Sequence, residues 1–140
     1  MQERNFFMSI TELFSQIFTL KHEMKDKQQV IKTVALELAR ALRRLPQDMA
    51  PEEDALFVDL HKNYKKLQKE IKVIQEVYTF NCDLARRQIE QIEDYTVAMG
   101  LSLHGINGLS WKETAAHLGV PDIQDRCYDY LEKGENVFLW

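Results

Sequence analysis

The chain has 140 residues, of which 45% are hydrophobic and 29% charged, and its formal net charge is −4. One domain typically takes about 100–200 residues, so we expect a single domain whose core needs no metal or disulfide. The two cysteines are too few for a disulfide framework and indicate a reducing compartment. The negative net charge argues against nucleic acid as a general partner.

No part of the sequence has the pattern of a membrane segment. No apolar run approaches the ~18 residues that are needed to span a bilayer. Residues 1–8 also lack the basic start and the apolar run of a signal peptide. We therefore expect a cytoplasmic protein that does not insert into a membrane.

Residues 9–45 predict one long helix with a coiled-coil seam. Ser9 and Glu12 predict a capping box, in which each side chain accepts from the backbone amide of the other residue. Apolar residues then recur at alternating spacings of three and four, which is typical of a coiled coil, and Lys27 is the one interruption. The seam positions are Ile10, Leu13, Ile17, Leu20, Met24, Lys27, Ile31, Val34, Leu38, Ala41 and Leu45.

Residues 51–99 predict a second long helix. Pro46 ends the first helix, and Pro51 suits the first helical position of the next one. The acidic residues 52–54 suit the positive end of its dipole. The seam continues at the same spacings, with a stutter at Tyr78. Its positions are Phe57, Leu60, Tyr64, Leu67, Ile71, Ile74, Tyr78, Cys82, Ala85, Ile89, Ile92, Thr96 and Met99.

The short connection between the two predicted helices makes them antiparallel. At 1.5 Å per residue the second helix extends ~18 Å beyond the first. This overhang, near residues 87–99, needs cover from residues 1–8, from the C-terminal segment or from a second chain. We predict an all-α protein with a long antiparallel two-helix coiled-coil hairpin over residues 1–100 and a small C-terminal helical region.

Residues 101–140 predict short helices and an aromatic C-terminal end. Residues 101–108 are expected to form a loop, followed by short helices over residues 110–118 and 121–133, with Gly119 between them. Ser110 and Glu113 predict a second capping box. Large aromatic and apolar side chains are favoured anchors of protein interfaces, although they could equally fold back over the overhang. The candidate partner-binding residues are Trp111, Tyr128, Tyr130, Phe138, Leu139 and Trp140.

The sequence contains no arrangement that is typical of a catalytic or metal site. Its four histidines, His22, His61, His104 and His117, do not have the spacing of metal ligands. Its glycines do not form a phosphate-binding loop, and neither cysteine lies beside a base. We predict that the chain is not an enzyme and has no cofactor or metal.

A lysine-rich stretch lies in the middle of the second predicted helix. It comprises Lys62, Lys65, Lys66, Lys69 and Lys72. Charged flanks keep coiled coils soluble, so a solvated face explains the stretch. A contact surface for an acidic partner is the alternative.

Residues 111–121 resemble the first helix and the turn of a helix-turn-helix motif, since Ala115 and Gly119 have the spacing of that motif. The next helix would have to approach DNA phosphates, and its net negative charge opposes this. Asp125 also takes a position where the motif needs a buried apolar residue. A coiled-coil dimer with a divergent C-terminal DNA-binding unit is therefore the alternative function. The charged residues of that helix are Asp122, Asp125, Arg126, Asp129, Glu132 and Lys133.

The second predicted helix closes on an asparagine followed by spaced leucine and isoleucine positions, in Asn81-Cys-Asp-Leu-Ala-Arg-Arg-Gln-Ile-Glu-Gln-Ile-Glu-Asp-Tyr95. Over residues 10–100 this pattern resembles the flagellar export chaperones of the FlgN family, in which a late helix carries such an asparagine. The resemblance implies a chaperone of type III secretion that holds hook-junction subunits of the flagellum and hands them to the export gate. It also implies that the C-terminal part binds the client, with Tyr128 and Tyr130 as candidate contacts. The expected partner is a protein client or an export component, and a homodimer stays open.

Overall fold

The chain folds into two long helices that pack against each other, followed by three shorter ones. The computed structural model describes residues 9–138, and of their side chains those of residues 9–133. This part of the chain has no strands, and the structure is 84% helical. The predicted all-α fold with a two-helix hairpin is confirmed. The helices are α1 (Ile10–Arg44), α2 (Ala55–Glu90), α3 (Tyr95–Leu101), α4 (Trp111–Leu118) and α5 (Ile123–Phe138).

Burial follows both predicted seams. Every seam position of α1 and α2 is buried or half-buried, whereas most of the positions between them are exposed. Lys27, the polar position of the first seam, pairs with Glu70 of α2 at 2.6 Å between Nζ and Oε2. The hydrogen bond from Lys27 lowers the pKa of the Glu70 carboxyl. The interruption in the apolar pattern is therefore compensated by a charge on the neighbouring helix.

The connection between α1 and α2 contains its own short turn. The amide of Met49 donates to the carbonyl of Pro46 at 3.1 Å. Pro51 begins a 3-10 turn rather than the long helix itself. Asp54 then has extended backbone, and its carboxylate accepts from the amide of Phe57 at 3.1 Å. An aspartate cap therefore fixes the start of α2.

The second long helix ends at Glu90, short of its predicted end. The amides of Gln91 and Ile92 bond to carbonyls three residues back, at 3.2 and 3.0 Å, which tightens the last turn. Asp94 then caps α3, because its carboxylate accepts from the amide of Val97 at 3.2 Å. The chain thus turns at the place where an unbroken helix would have extended beyond α1.

The chain divides into two compact units, each of which contains part of α1 and part of α2. The first unit joins the residues up to Thr19 with those from Tyr78 onward, and the second is Leu20–Val77. In the second unit the buried hydrophobic residues are Val34, Ala41 and Ile71. The first unit contains the main core, which is made of Ile10, Leu13, Ile17, Cys82, Ala85, Ile89, Val97, Leu101, Ile106, Ile123 and Cys127. The C-terminal helices thus cover the ends of the two long helices.

Candidate protein-binding surface

A π-helical turn over Ser102–Ile106 replaces the expected loop. The amide of Asn107 donates to the carbonyl of Ser102 at 3.1 Å, five residues back. A Cβ atom on Gly105 would lie 2.3 Å from the ring of Phe14, so a glycine is needed for the turn to approach α1 this closely. Single π turns occur frequently at functional sites, so the side chains on this turn are candidates for a functional role.

The π turn presents His104 to the indole of Trp111. The two rings are stacked, with centroids 3.9 Å apart and planes inclined by 16°. Nδ1 of His104 lies 2.7 Å from the carbonyl oxygen of Leu109. Because a carbonyl can only accept, Nδ1 carries the proton in this contact. The imidazole is thus held by a hydrogen bond at one atom and by a ring contact on one face.

A capping box fixes Trp111 at the start of α4. Oγ of Ser110 accepts from the amide of Glu113 at 3.0 Å, and Oε1 of Glu113 accepts from the amide of Ser110 at 3.1 Å. The predicted second capping box is confirmed. Hydrogen bonding of the Glu113 carboxylate to the backbone amide of Ser110, and then to its hydroxyl, lowers the pKa of the Glu113 carboxyl. Since Trp111 is the first residue of α4, the same bonds set the direction of its side chain.

Tyr128 on α5 completes the group of aromatic rings. It meets Trp111 edge to face, with centroids 5.7 Å apart and planes inclined by 71°. The Tyr128 side chain is 51% exposed, whereas Trp111 and His104 are half-buried. Trp111 also packs against the main core. We name the three residues His104, Trp111 and Tyr128 the aromatic patch.

Close packing of α5 on α3 determines where Tyr128 lies. Ile123 and Cys127 are both completely buried. A Cβ atom on Gly100 would lie 2.7 Å from Cγ1 of Ile123 and 3.0 Å from Sγ of Cys127. Sγ of Cys127 donates to the carbonyl of Val97 at 3.8 Å, and burial raises the pKa of this thiol to about 11. Cys127 is therefore a protonated packing residue.

The structure brings together two of the six predicted partner-binding residues. Trp111 and Tyr128 are in contact, and they are joined by His104, which the sequence reasoning considered only as a metal ligand and rejected for its spacing. Tyr130 lies two residues further along α5, on another side of the helix, and is 37% exposed. Phe138 is the last residue of α5 and its side chain lies outside the described residues, as do Leu139 and Trp140.

The signal for His104 in the sequence was local and easily missed. Gly105 and Gly108 flank a short stretch before the Ser110 cap, and Gly108 has a positive φ of 77°. A glycine-rich stretch next to a capped helix indicates a compact turn. It does not reveal that the turn carries a histidine onto a tryptophan, since that contact depends on how α4 folds back.

Asn81, the asparagine of the family resemblance, takes part in an internal contact. It is buried, with 3% of its surface exposed. Its Nδ2 donates to Oε1 of Gln16 on α1 at 2.9 Å. The amide thus joins the two long helices inside the first unit.

Within the described part of the chain, no group of three or more His, Cys, Asp or Glu side chains is placed to hold a metal ion. Over the same residues, no helix is both long and apolar enough to cross a membrane. Comparisons with models of protein families, with curated proteins and with solved structures give no match. The fold and the patch define a helical protein with a preorganised aromatic surface.

Proposed function

We propose that the protein binds another protein, as an adaptor or chaperone, and that the aromatic patch is the centre of the contact. The observation that carries this proposal is the fixed stack of His104 on Trp111 with Tyr128 at its edge. Tryptophan and tyrosine dominate the energetic centres of protein interfaces. Rings that are already held in place lose little conformational entropy on binding.

The patch suits an apolar side chain from an amphipathic helix of the partner. Such a helix would place one anchor against Tyr128 and the exposed part of Trp111, in the helix-in-groove mode of recognition. The hydroxyl of Tyr128 and the charged side chains around it would supply a polar rim. Truncation of a central aromatic anchor typically costs at least about 2 kcal/mol, which weakens binding about 30-fold.

The specific form of this proposal is a cytoplasmic export chaperone of the FlgN-like type, which would keep a type III secretion client competent for export. The long hairpin and the segment that begins at Asn81 support it. Because Asn81 bonds to Gln16, the client contacts in this version come from the aromatic patch rather than from the asparagine.

Site-specific photo-crosslinking tests whether the patch binds a protein. A photoreactive phenylalanine analogue replaces Tyr128 in one variant and Tyr95, which is 75% exposed and outside the patch, in the control. We expect position 128 to capture one protein in the native cells, and Trp111→Ala to abolish the capture. The captured protein, once purified, should bind the wild-type chain about 30-fold more tightly than the Trp111→Ala variant. Equal capture from both positions contradicts the proposal.

The second candidate is a DNA-binding protein, and one observation favours it. Gly119 has a positive φ of 69° and closes α4, so that a turn leads from α4 into α5, which packs against it. Asp125 and Asp129 are exposed on α5 and would meet DNA phosphates, which disfavours this candidate. Titration of the protein onto duplex DNA at increasing salt distinguishes the two candidate functions. DNA binding through phosphate contacts would weaken steeply with salt, and we expect no such binding.

A further inference from the structure

Two exposed helix faces carry opposite charges at the same spacing. Along each face the charged residues follow one another at intervals of three, four and three. Every one of these side chains is exposed. The lysine row on α2 is Lys62, Lys65, Lys69 and Lys72. The acidic row is Asp122, which directly precedes α5, and Asp125, Asp129 and Glu132 of α5.

The lysine row lies on the side of α2 opposite to its seam. At 3.6 residues per turn, four lysines at these intervals form a stripe along the helix that is ~15 Å long. Glu70 is the one carboxylate between residues 62 and 72, and Lys27 of α1 binds it at 2.6 Å. Lys66 adds a further exposed positive charge beside the row. Asp59, three residues before Lys62, and Glu76, four residues after Lys72, are exposed carboxylates at the two ends of the stripe. The part of the stripe that no carboxylate of its own helix balances is its middle, Lys65 and Lys69.

The acidic row lies on the side of α5 opposite to the buried residues Ile123 and Cys127. It is also ~15 Å long, because it spans the same number of residues. Nε of Arg126 lies 3.2 Å from Oδ2 of Asp122, so this carboxylate at the start of the row is partly neutralised. Lys133, four residues after Asp129, is a further exposed positive charge beside the row. Four carboxylates against Arg126 and Lys133 still leave the outer face of α5 acidic.

We propose that these two rows bind each other between two copies of the chain, with the acidic row of one copy on the lysine row of the next. Rows at alternating intervals of three and four residues meet when two helices lie side by side at about 20°, as in coiled coils. In that arrangement a lysine faces a carboxylate at each ~5 Å step. The equal lengths and spacings favour a second copy over an unrelated acidic partner, because each chain supplies both matching rows.

The contact is weak and sensitive to salt. Exposed ion pairs contribute little individually and are screened by added salt. The contact joins two different patches, so it is heterologous and does not require a patch that matches itself. It does not involve the aromatic patch, so its failure in an experiment would leave the proposed function intact.

Exchange of charges between the rows tests the proposal. One variant carries Lys65→Glu and Lys69→Glu, and the other carries Asp125→Lys and Asp129→Lys. The control carries Lys21→Glu and Lys25→Glu, which makes the same charge change at exposed lysines outside the row. Sedimentation velocity measures self-association at about 0.01 M and about 1 M salt, where the Debye lengths are ~30 and ~3 Å. Circular dichroism checks that each variant keeps its helices.

We expect wild type and control to associate at low salt and to separate at high salt. Each row variant alone should associate at least about 10-fold more weakly, because repulsion replaces attraction at two positions. A mixture of the two row variants should recover the association, since both rows then meet a row of opposite charge. A wild-type chain that stays monomeric at low salt, or a mixture that does not recover, overturns the proposal. Binding of polyglutamate to a monomeric chain would likewise assign the lysine row to another acidic partner.

Discussion

The two compact units contain stretches of the same two long helices, yet they bury their seams to different depths. In the first unit α3, α4 and α5 pack with the ends of α1 and α2, and Leu13 and Ala85 are completely buried. The second unit, Leu20–Val77, consists only of the remaining parts of α1 and α2 and their connection, and seam positions such as Leu38 and Leu67 stay half-buried. Two helices in contact cover only part of each other's apolar face. A fully buried core needs a further layer of helices, which α3, α4 and α5 supply in the first unit.

The second unit also leaves large apolar side chains outside its seam in contact with solvent. The exposed set in this unit is Val30, Leu36, Leu42, Leu56, Val58, Val73 and Val77. Because the hydrophobic contribution is proportional to the apolar area removed from water, this unit gains less free energy per residue than the first. The charges also differ, since residues 20–77 hold most of the 18 Lys and Arg whereas the others hold more than half of the 22 Asp and Glu.

The largest expected effect contrasts one leucine from each unit on the same helix. Leu13→Ala removes a completely buried side chain and should lower the free energy of unfolding by about 2–5 kcal/mol. Leu38→Ala makes the same change at a half-buried seam position and should cost less than half as much. Urea unfolding followed by circular dichroism measures both values. Equal losses would remove the distinction between the units.

A methyl group at Gly105 tests the close approach of the π turn to α1. Gly105→Ala places a Cβ atom 2.3 Å from the ring of Phe14, and we expect a loss of about 1–3 kcal/mol from overpacking. The double variant Phe14→Ala/Gly105→Ala separates this clash from other effects. If the clash is the cause, adding Gly105→Ala to Phe14→Ala should cost less than adding it to wild type. Identical costs in both backgrounds would show that Phe14 is not the obstacle.

A smaller effect is expected at the cap that orients Trp111. Ser110→Ala should lower the free energy of unfolding by about 1 kcal/mol and shift the emission of the Trp111 indole. Ala115→Gly, in the same helix but outside the cap, is a control for loss of helix stability. A lower stability with unchanged emission would show that the cap does not set the direction of Trp111.

The same cap makes a pH-dependent contribution. Folding lowers the pKa of Glu113, so the stabilisation is present above the ordinary pKa of a glutamate and is lost as the pH falls through the lowered value. Thermal unfolding of wild type and Glu113→Gln across the acidic range should therefore show curves that converge at low pH. A constant difference between the two curves would contradict this assignment.

The sequence predicted the faces of the helices better than it predicted their ends. Alternating spacings identify the buried side of a helix, so every seam position from Ile10 to Leu45 could be assigned. The break before Asp94 was missed. The Asp94 side chain caps a new helix, but the apolar pattern of the same residues could equally continue α2, so the pattern does not show where α2 ends. The π turn was missed because it depends on the packing of Phe14 against Gly105, which are far apart in sequence.

The candidate site was predictable in its residue types and not in its geometry. Trp111 and Tyr128 stood out as aromatic residues in a region with few other large side chains. Trp111 meets Tyr128 because α5 packs on α3 at Gly100, and His104 stacks on Trp111 because α4 folds back after the π turn. Such contacts join residues from separate helices, and helical periodicity carries no information about them.

The central claim is that the first unit is a well-packed platform that holds the aromatic patch, and that the second unit is a more weakly packed hairpin. Hydrogen exchange of the whole chain, followed by mass spectrometry of its peptides, tests it most directly. In the first unit we predict that the amides exchange only by near-global opening, over residues 97–103, 114–118 and 123–131. In the second unit we predict exchange through smaller openings, at rates at least about 10-fold higher, over residues 25–40 and 58–72. Equal protection in the two units, or faster exchange around the patch, would contradict the claim.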